Sequence, residues 1–82
     1  MGRQPNPQPA IGEAIRQLRI KHGLSQEDLA HAAGVTTGTV SAIERGNSNP
    51  TWGTVKDIAQ ALDVSMSELA ERASKHETDR SA

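Results

Sequence analysis

Few residues in this chain are suited to bond-making chemistry. The histidines, His22, His31 and His76, do not stand at the spacing of metal ligands, and the chain contains no cysteine. No serine lies in a nucleophile-elbow or phosphate-loop sequence. The sequence therefore predicts no catalytic residue, no metal site and no cofactor, and it argues against an enzyme.

Hydroxyl, amide and guanidinium side chains are concentrated instead in residues 25–49. Such groups hydrogen-bond to phosphates and to base edges in the grooves of double-stranded DNA. They can act together only if neighbouring elements hold them on one surface, so the predicted elements decide whether such a surface forms.

The composition is that of one small domain. The 82 residues carry a formal net charge of -1 and a single aromatic residue, Trp52. This scarcity of aromatic side chains argues against a stacking surface for single strands and against a pocket for a small-molecule ligand. No apolar stretch is long enough to span a bilayer, and the start of the chain lacks the hydrophobic segment of a secretory signal, which predicts a cytoplasmic protein without membrane contact.

The charges are unevenly distributed along the chain. Residues 1–24 contain four basic residues and one acidic residue, whereas residues 63–82 contain five acidic and three basic residues. A net charge near zero gives no support by itself to a nucleic-acid partner, because such domains are usually basic. We expect the acidic end to face away from any phosphate backbone.

Hydrophobic periodicity predicts helices and no strand. Residues 1–9 contain three prolines and are predicted to form a flexible arm. A first helix, ended by Gly23, follows from apolar residues at the i, i+3, i+4 and i+7 spacing. These residues are Ile11, Ala14, Ile15 and Leu18.

Capping residues predict two short helices next. Ser25 and Asp28 form a capping-box pattern that opens a second helix at about residues 26–33, which Gly34 closes. Thr36 can cap a third helix at about residues 36–45, with Gly46 at its end. Two helices of this length joined by a turn are typical of a helix-turn-helix.

Two further helices complete an all-α domain over residues 10–75. Thr51 opens the fourth, and a second capping-box pattern, Ser65 with Glu68, opens the fifth. Residues 76–82 show no periodicity and are predicted to form a disordered tail.

Three segments carry a resemblance to a known family. They read LRIKHGLSQEDLA, AAGVTTGTVSAIERG and NPTWGTVKDIAQALDVSMSEL. The chain resembles the XRE family, the Cro and phage-repressor type, over residues 11–69. The resemblance implies a compact five-helix lambda-repressor-like DNA-binding domain with its helix-turn-helix at the second and third helices. It also implies a sequence-specific transcriptional regulator, a repressor or autoregulator, that binds a near-palindromic operator in double-stranded DNA as a homodimer.

The resemblance assigns a DNA-facing set around the third helix. Periodicity agrees with this assignment, because Val40 and Ile43 point to one side and leave the opposite side of the helix exposed. The predicted DNA-binding residues are Gln26, Thr36, Thr37, Gly38, Thr39, Ser41, Ala42, Arg45, Asn47 and Asn49.

Different roles are expected within this set. Gln26 is expected to donate its amide to a phosphate at the start of the second helix, the alternative being a simple helix-start residue. Thr36 caps the third helix or contacts a phosphate, and Thr39 is the better candidate for the phosphate. The resemblance places Arg45 and the loop that follows it along the phosphate backbone, with a solvated surface charge as the alternative for Arg45.

The residues predicted to meet base edges are small. Thr37, Gly38, Ser41 and Ala42 cannot make the bidentate base contacts of Arg, Asn or Gln, so modest direct readout and a larger share of shape readout are expected. Gly38 indicates a close approach to DNA, or a position that merely tolerates glycine.

Two more groups of residues have structural or assembly roles. The resemblance implies a buried ion pair between Arg19 and Glu44. Trp52 is open to three interpretations, a packed core residue, a subunit contact or a support for the DNA-facing loop, of which packing is preferred. Met66 and Leu69 are candidate dimer contacts, with closure of the core as the alternative.

A second class of function stays open at this point. The near-neutral charge and the weak base readers also suit a protein-interaction module, or an antitoxin-type protein, that uses the same fold to bind a protein partner. DNA binding that weakens steeply with salt would separate the two, because phosphate contacts release counterions.

Overall fold

The computed structural model describes residues 9–81, with side chains for residues 9–75. Over this range the chain is all α-helical, which confirms the predicted fold class. The helices are α1 (Pro9–Lys21), α2 (Gln26–Ala33), α3 (Thr37–Glu44), α4 (Trp52–Ala61) and α5 (Met66–Ser81).

Capping side chains set where the short helices begin. The Ser25 hydroxyl accepts from the Asp28 N–H at 2.9 Å, and the Asp28 carboxylate accepts from the Ser25 N–H at 3.0 Å, which completes the predicted capping box. The second of these bonds is the main cause that lowers the pKa of Asp28 below its ordinary value of 3.8. Gly34, at a φ of 74°, then ends α2 in the left-handed conformation. The predicted bounds of this helix agree with the structure.

The core is aliphatic, and all five helices contribute side chains to it. α1 packs on α5 and α3, and α2 packs on α3 and α4. The side chains at the centre are buried to 2 % exposure or less. They include Ile15, Leu18, Leu29, Val40, Ile43, Ile58, Leu62 and Leu69.

Gly12 allows α1 to approach α3 unusually closely. A Cβ at this position would overlap the carbonyl oxygen of Ile43 and would lie 3.3 Å from the Cα of Glu44. Because only glycine lacks that carbon, the backbones of the two helices can meet directly. This close contact between α1 and α3 holds the inward side of α3 against the core.

The ends of the domain differ from the sequence prediction. Pro9, predicted as the last residue of the arm, is the first residue of α1, where its missing N–H costs nothing. Residues 1–8 of the predicted arm lie outside the described residues. α5 continues to Ser81, so the predicted disordered tail at residues 76–82 is helical up to that residue. Hydrophobic periodicity detects only helices with a buried side, whereas Glu77 and Arg80 in this stretch favour a helix without one.

None of the helices in residues 9–81 has the length and apolar content needed to cross a bilayer.

Candidate nucleic-acid interface

α3 has an inward side that carries the fold and an outward side that is accessible. Val40, Ile43 and Glu44 are 0 %, 1 % and 8 % exposed. The opposite side is formed by exposed or half-buried residues, as the periodicity predicted: Thr37, Gly38, Ser41, Ala42 and Arg45. α3 is therefore presented to solvent along its full length of 8 residues.

A buried ion pair joins the end of α3 to α1. Arg19 Nε donates to Glu44 Oε2 at 2.7 Å, and Arg19 Nη2 donates to Glu44 Oε1 at 3.0 Å. The remaining terminal nitrogen of Arg19 donates to the Leu24 carbonyl at 2.8 Å. This is the pair that the resemblance implied. The hydrogen bond to Glu44 raises the pKa of Arg19, so the guanidinium is charged at every pH at which the protein is handled.

Gln26 extends this network to the start of α2. Its Nε2 donates to Glu44 Oε1 at 3.1 Å, a partner that sequence analysis did not foresee. A primary amide has two N–H donors, so the contact leaves one donor of Gln26 for an outside acceptor. The first residue of α2 is thereby tied to the last residue of α3.

Thr36 is the cap of α3. Its hydroxyl accepts from the Thr39 N–H at 3.1 Å and lies 2.9 Å from the Thr39 hydroxyl. The capping interpretation of Thr36 is therefore correct, and one of the two hydroxyls donates to the other. Both side chains remain at the surface around the N-terminus of α3.

The loop after α3 lies next to the start of α1. Gly46 has a φ of 75°, and a Cβ there would lie 3.0 Å from the Cβ of Pro9. Asn47 and Asn49 are exposed in this loop, while Arg45 turns back and donates from Nη1 to the Ser41 hydroxyl at 2.6 Å. The amides of Asn47 and Asn49 therefore lie in the loop, whereas the Arg45 guanidinium lies beside Ser41 on α3.

Trp52 does not pack into the core. Its side chain is 72 % exposed at the start of α4, so the preferred packing interpretation is wrong. The indole borders a shallow apolar groove of about 150 Å³. The other lining residues are Ile11, Val55, Met66, Leu69 and Ala70.

Leu69 is a core residue and not a subunit contact of its own. It is 1 % exposed, because α5 turns it inward onto α1, whereas Met66 is half-buried. The candidate contact surface therefore consists of Trp52 and Met66 around the groove. Ile11 and Val55 also line the groove, although sequence analysis did not assign them to it, because their helical spacing indicated burial.

The described residues contain no cluster of three or more His, Asp or Glu side chains that could hold a metal ion. The polar side chains of the candidate interface carry hydroxyls, amides and one guanidinium, which can form hydrogen bonds with DNA.

Two short helices joined by a tight turn, with the second presented outward by a buried network, define the helix-turn-helix class of DNA-binding proteins. The family model HTH_3, described as helix-turn-helix, matches residues 15–69. The chain belongs to this family, in its XRE-type branch. It is a transcriptional regulator with a DNA-binding fold, and it is not an enzyme.

Similar proteins include regulators, repressors and an operator complex. The chain is 41 % identical over 59 residues to the HTH-type transcriptional regulator y4dJ of Sinorhizobium fredii (strain NBRC 101917 / NGR234), covering 72 % of this chain and 77 % of that protein. It is 38 % identical over 55 residues to the cryptic phage CTXphi transcriptional repressor RstR of Vibrio cholerae, covering 67 % of this chain and 50 % of the repressor.

A solved structure shares the fold. The restriction-modification controller protein C.Esp1396I, as a tetramer in complex with its natural 35 base-pair operator, superposes with a TM-score of 0.76 at 30 % identity. The match covers 82 % of this chain and 88 % of that one.

Proposed function

We propose that this chain is a cytoplasmic repressor or autoregulator that binds a near-palindromic operator as a homodimer, with α3 as the recognition helix. The observation that carries the proposal is the outward side of α3, which is exposed while its inward side is locked into the core. A helix held in this way enters the major groove without reorganising the fold. When bound to DNA, the protein would be associated with the nucleoid.

The interface divides into contacts that set register and contacts that read bases. We expect phosphate contacts from Gln26, through its second amide N–H, from Thr39, and from the exposed loop amides Asn47 and Asn49. Thr37, Gly38, Ser41 and Ala42 form the part of α3 that would face base edges. Thr36 contributes chiefly by capping the helix.

DNA binding is tested first by electrophoretic shift titration at two salt concentrations, with the DNA upstream of the gene and a scrambled duplex of equal length. We expect tighter, cooperative binding to the upstream fragment and weaker binding at the higher salt, because phosphate contacts release counterions. Gln26→Ala should weaken binding to both duplexes equally, whereas Thr37→Ala should change the ratio between them.

Lys56→Ala is the matched control, since it removes an exposed side chain from α4 outside the interface. Equal binding of the wild type to both duplexes would contradict sequence-specific recognition. No binding to either duplex, at both salt concentrations, would favour the alternative of a protein partner.

The homodimer is supported by the apolar groove beside Trp52. An exposed indole next to an uncovered apolar groove is suited to reciprocal packing, in which each Trp52 contacts the groove of the other copy about a two-fold axis. The groove is lined from the start of α4 together with α1 and α5, and none of its lining residues belongs to α3, so pairing there leaves the recognition helix uncovered. Two-fold pairing puts such helices about 34 Å apart, one turn of DNA.

Trp52→Ser is expected to convert the dimer into a monomer in sedimentation-velocity runs at micromolar concentration, because it removes the largest apolar contact of the groove. Ile20→Ser is the matched control: Ile20 is the other large hydrophobic residue exposed among the described residues, at 52 %, and it lies outside the groove. If Trp52→Ser remains a dimer while Ile20→Ser becomes a monomer, the subunit contact lies at Ile20 and not at the groove.

A further inference from the structure

The outward side of α3 is short of side chains that can reach into a groove. Gly38 has none, Ala42 has a single methyl group, and Ser41 ends at its hydroxyl. A Cβ added at Gly38 would have Thr36 Oγ1 at 3.9 Å as its nearest neighbour, so nothing within the protein requires this position to be small. The middle of the recognition helix is a shallow surface without a long reader of its own.

Arg45 supplies the missing reach. It stands one turn after Ser41 and keeps a helical backbone conformation, with φ -77° and ψ -7°. Side chains on a helix lean toward its N-terminus, and the guanidinium of Arg45 does so here, with Nη1 2.6 Å from the Ser41 hydroxyl. The positive group therefore lies over the exposed side of α3 and not along the loop that follows.

The contact with Ser41 also orients the guanidinium. A hydrogen bond from a charged donor is short and strong, and it uses one of the five N–H donors of an arginine. The other four stay free in the described part of the structure, where Ser41 is the hydrogen-bond partner of Arg45. Paired N–H donors in a planar fork match the O6 and N7 acceptors of guanine in the major groove, which a serine or threonine hydroxyl cannot match.

We propose that Arg45 is the principal base-reading residue of this protein, that it selects a guanine in each half-site, and that Ser41 is the residue that positions it. This inference rests on the proposed function. It replaces the phosphate-backbone role that the family resemblance suggested for Arg45, and it gives the small residues of α3 a purpose, because they leave room for the arginine side chain to lie across the helix.

The test selects duplexes from a random library with the wild type and then measures affinities for the selected duplex and for single-base replacements. We expect one guanine per half-site whose replacement weakens wild-type binding about 5- to 150-fold. Arg45→Ala should bind the original and the replaced duplex equally, and Ser41→Ala should retain part of the preference. Both positions lie at the surface, and circular dichroism checks that each variant is folded.

Arg16→Ala is the charge-matched control, since it removes an exposed arginine from α1 and should keep the full preference for guanine. An unchanged preference in Arg45→Ala, with both duplexes weakened equally, would overturn the inference and assign Arg45 to a phosphate. Enrichment of no sequence by the wild type would overturn the proposed function itself.

Discussion

Replacing Glu44 with alanine is expected to lower the free energy of unfolding by about 3–5 kcal/mol. Glu44 is buried, with 3 % of its side chain exposed, and the Arg19 side chain beside it is 13 % exposed. Removal of the carboxylate strands the guanidinium in a site with little water and also deprives Gln26 of its acceptor. Since small domains are stable by about 5–15 kcal/mol, the loss would leave the variant close to unfolding.

Urea denaturation followed by far-ultraviolet circular dichroism measures this effect. Tryptophan fluorescence is a less direct probe here, because Trp52 lies on the surface of the single chain and its emission would also follow dissociation of the proposed dimer. Glu13→Ala is the matched control, because it breaks the 3.6 Å contact between Glu13 and Arg16 at the surface. The Arg16 side chain is 49 % exposed and the Glu13 side chain 38 %, so the change should cost no more than about 1 kcal/mol. A loss for Glu44→Ala as small as that of the control would contradict a structural role for the buried pair.

Gly12→Ala is expected to destabilise the fold by about 3 kcal/mol, although it adds only one methyl group. The new carbon would overlap the Ile43 carbonyl oxygen, which belongs to the backbone and cannot rotate away as a side chain can. α1 and α3 would have to separate, and the packing of both helices would loosen. Thermal denaturation should show a clear fall in the midpoint temperature.

Gly53→Ala provides the contrast for this prediction. Gly53 lies near the start of α4, and the nearest atom to an added Cβ is Thr51 Oγ1 at 4.0 Å. Alanine is more favourable than glycine in a helix by up to about 1 kcal/mol. This variant should therefore be as stable as the wild type or slightly more stable. Equal stability of Gly12→Ala and Gly53→Ala would mean that the helices can separate freely at Gly12.

The sequence predicted the five helices and the bounds of α2 correctly, because capped helix ends depend on local chemistry. Ser25 and Asp28 can be recognised as a cap from their spacing alone, and Gly34 ends the same helix by its freedom to adopt a positive φ. The inward side of α3 was predicted from the spacing of Val40 and Ile43, since buried residues repeat with the helical period.

Features that depend on tertiary geometry were not predictable in this way. Trp52 was expected to pack, but its side chain is 72 % exposed at the start of α4, which depends on how the helices are arranged around it. The contacts of Gln26 with Glu44 and of Arg45 with Ser41 depend on rotamers, which periodicity does not report. The close approach at Gly12 could be recognised only when the backbone of α3 was seen against it.

The division of α3 into two sides bears on how regulators of this kind diversify. One side holds the helix in place through the buried residues Val40, Ile43 and Glu44. The other side, which includes Gly38, Ser41 and Ala42, contributes little to the packing of the core. Most substitutions on the outer side should therefore leave stability nearly unchanged. A gene duplicate could acquire a new operator through one or two such changes while remaining folded throughout, so that the regulatory network can be rewired without an unstable intermediate.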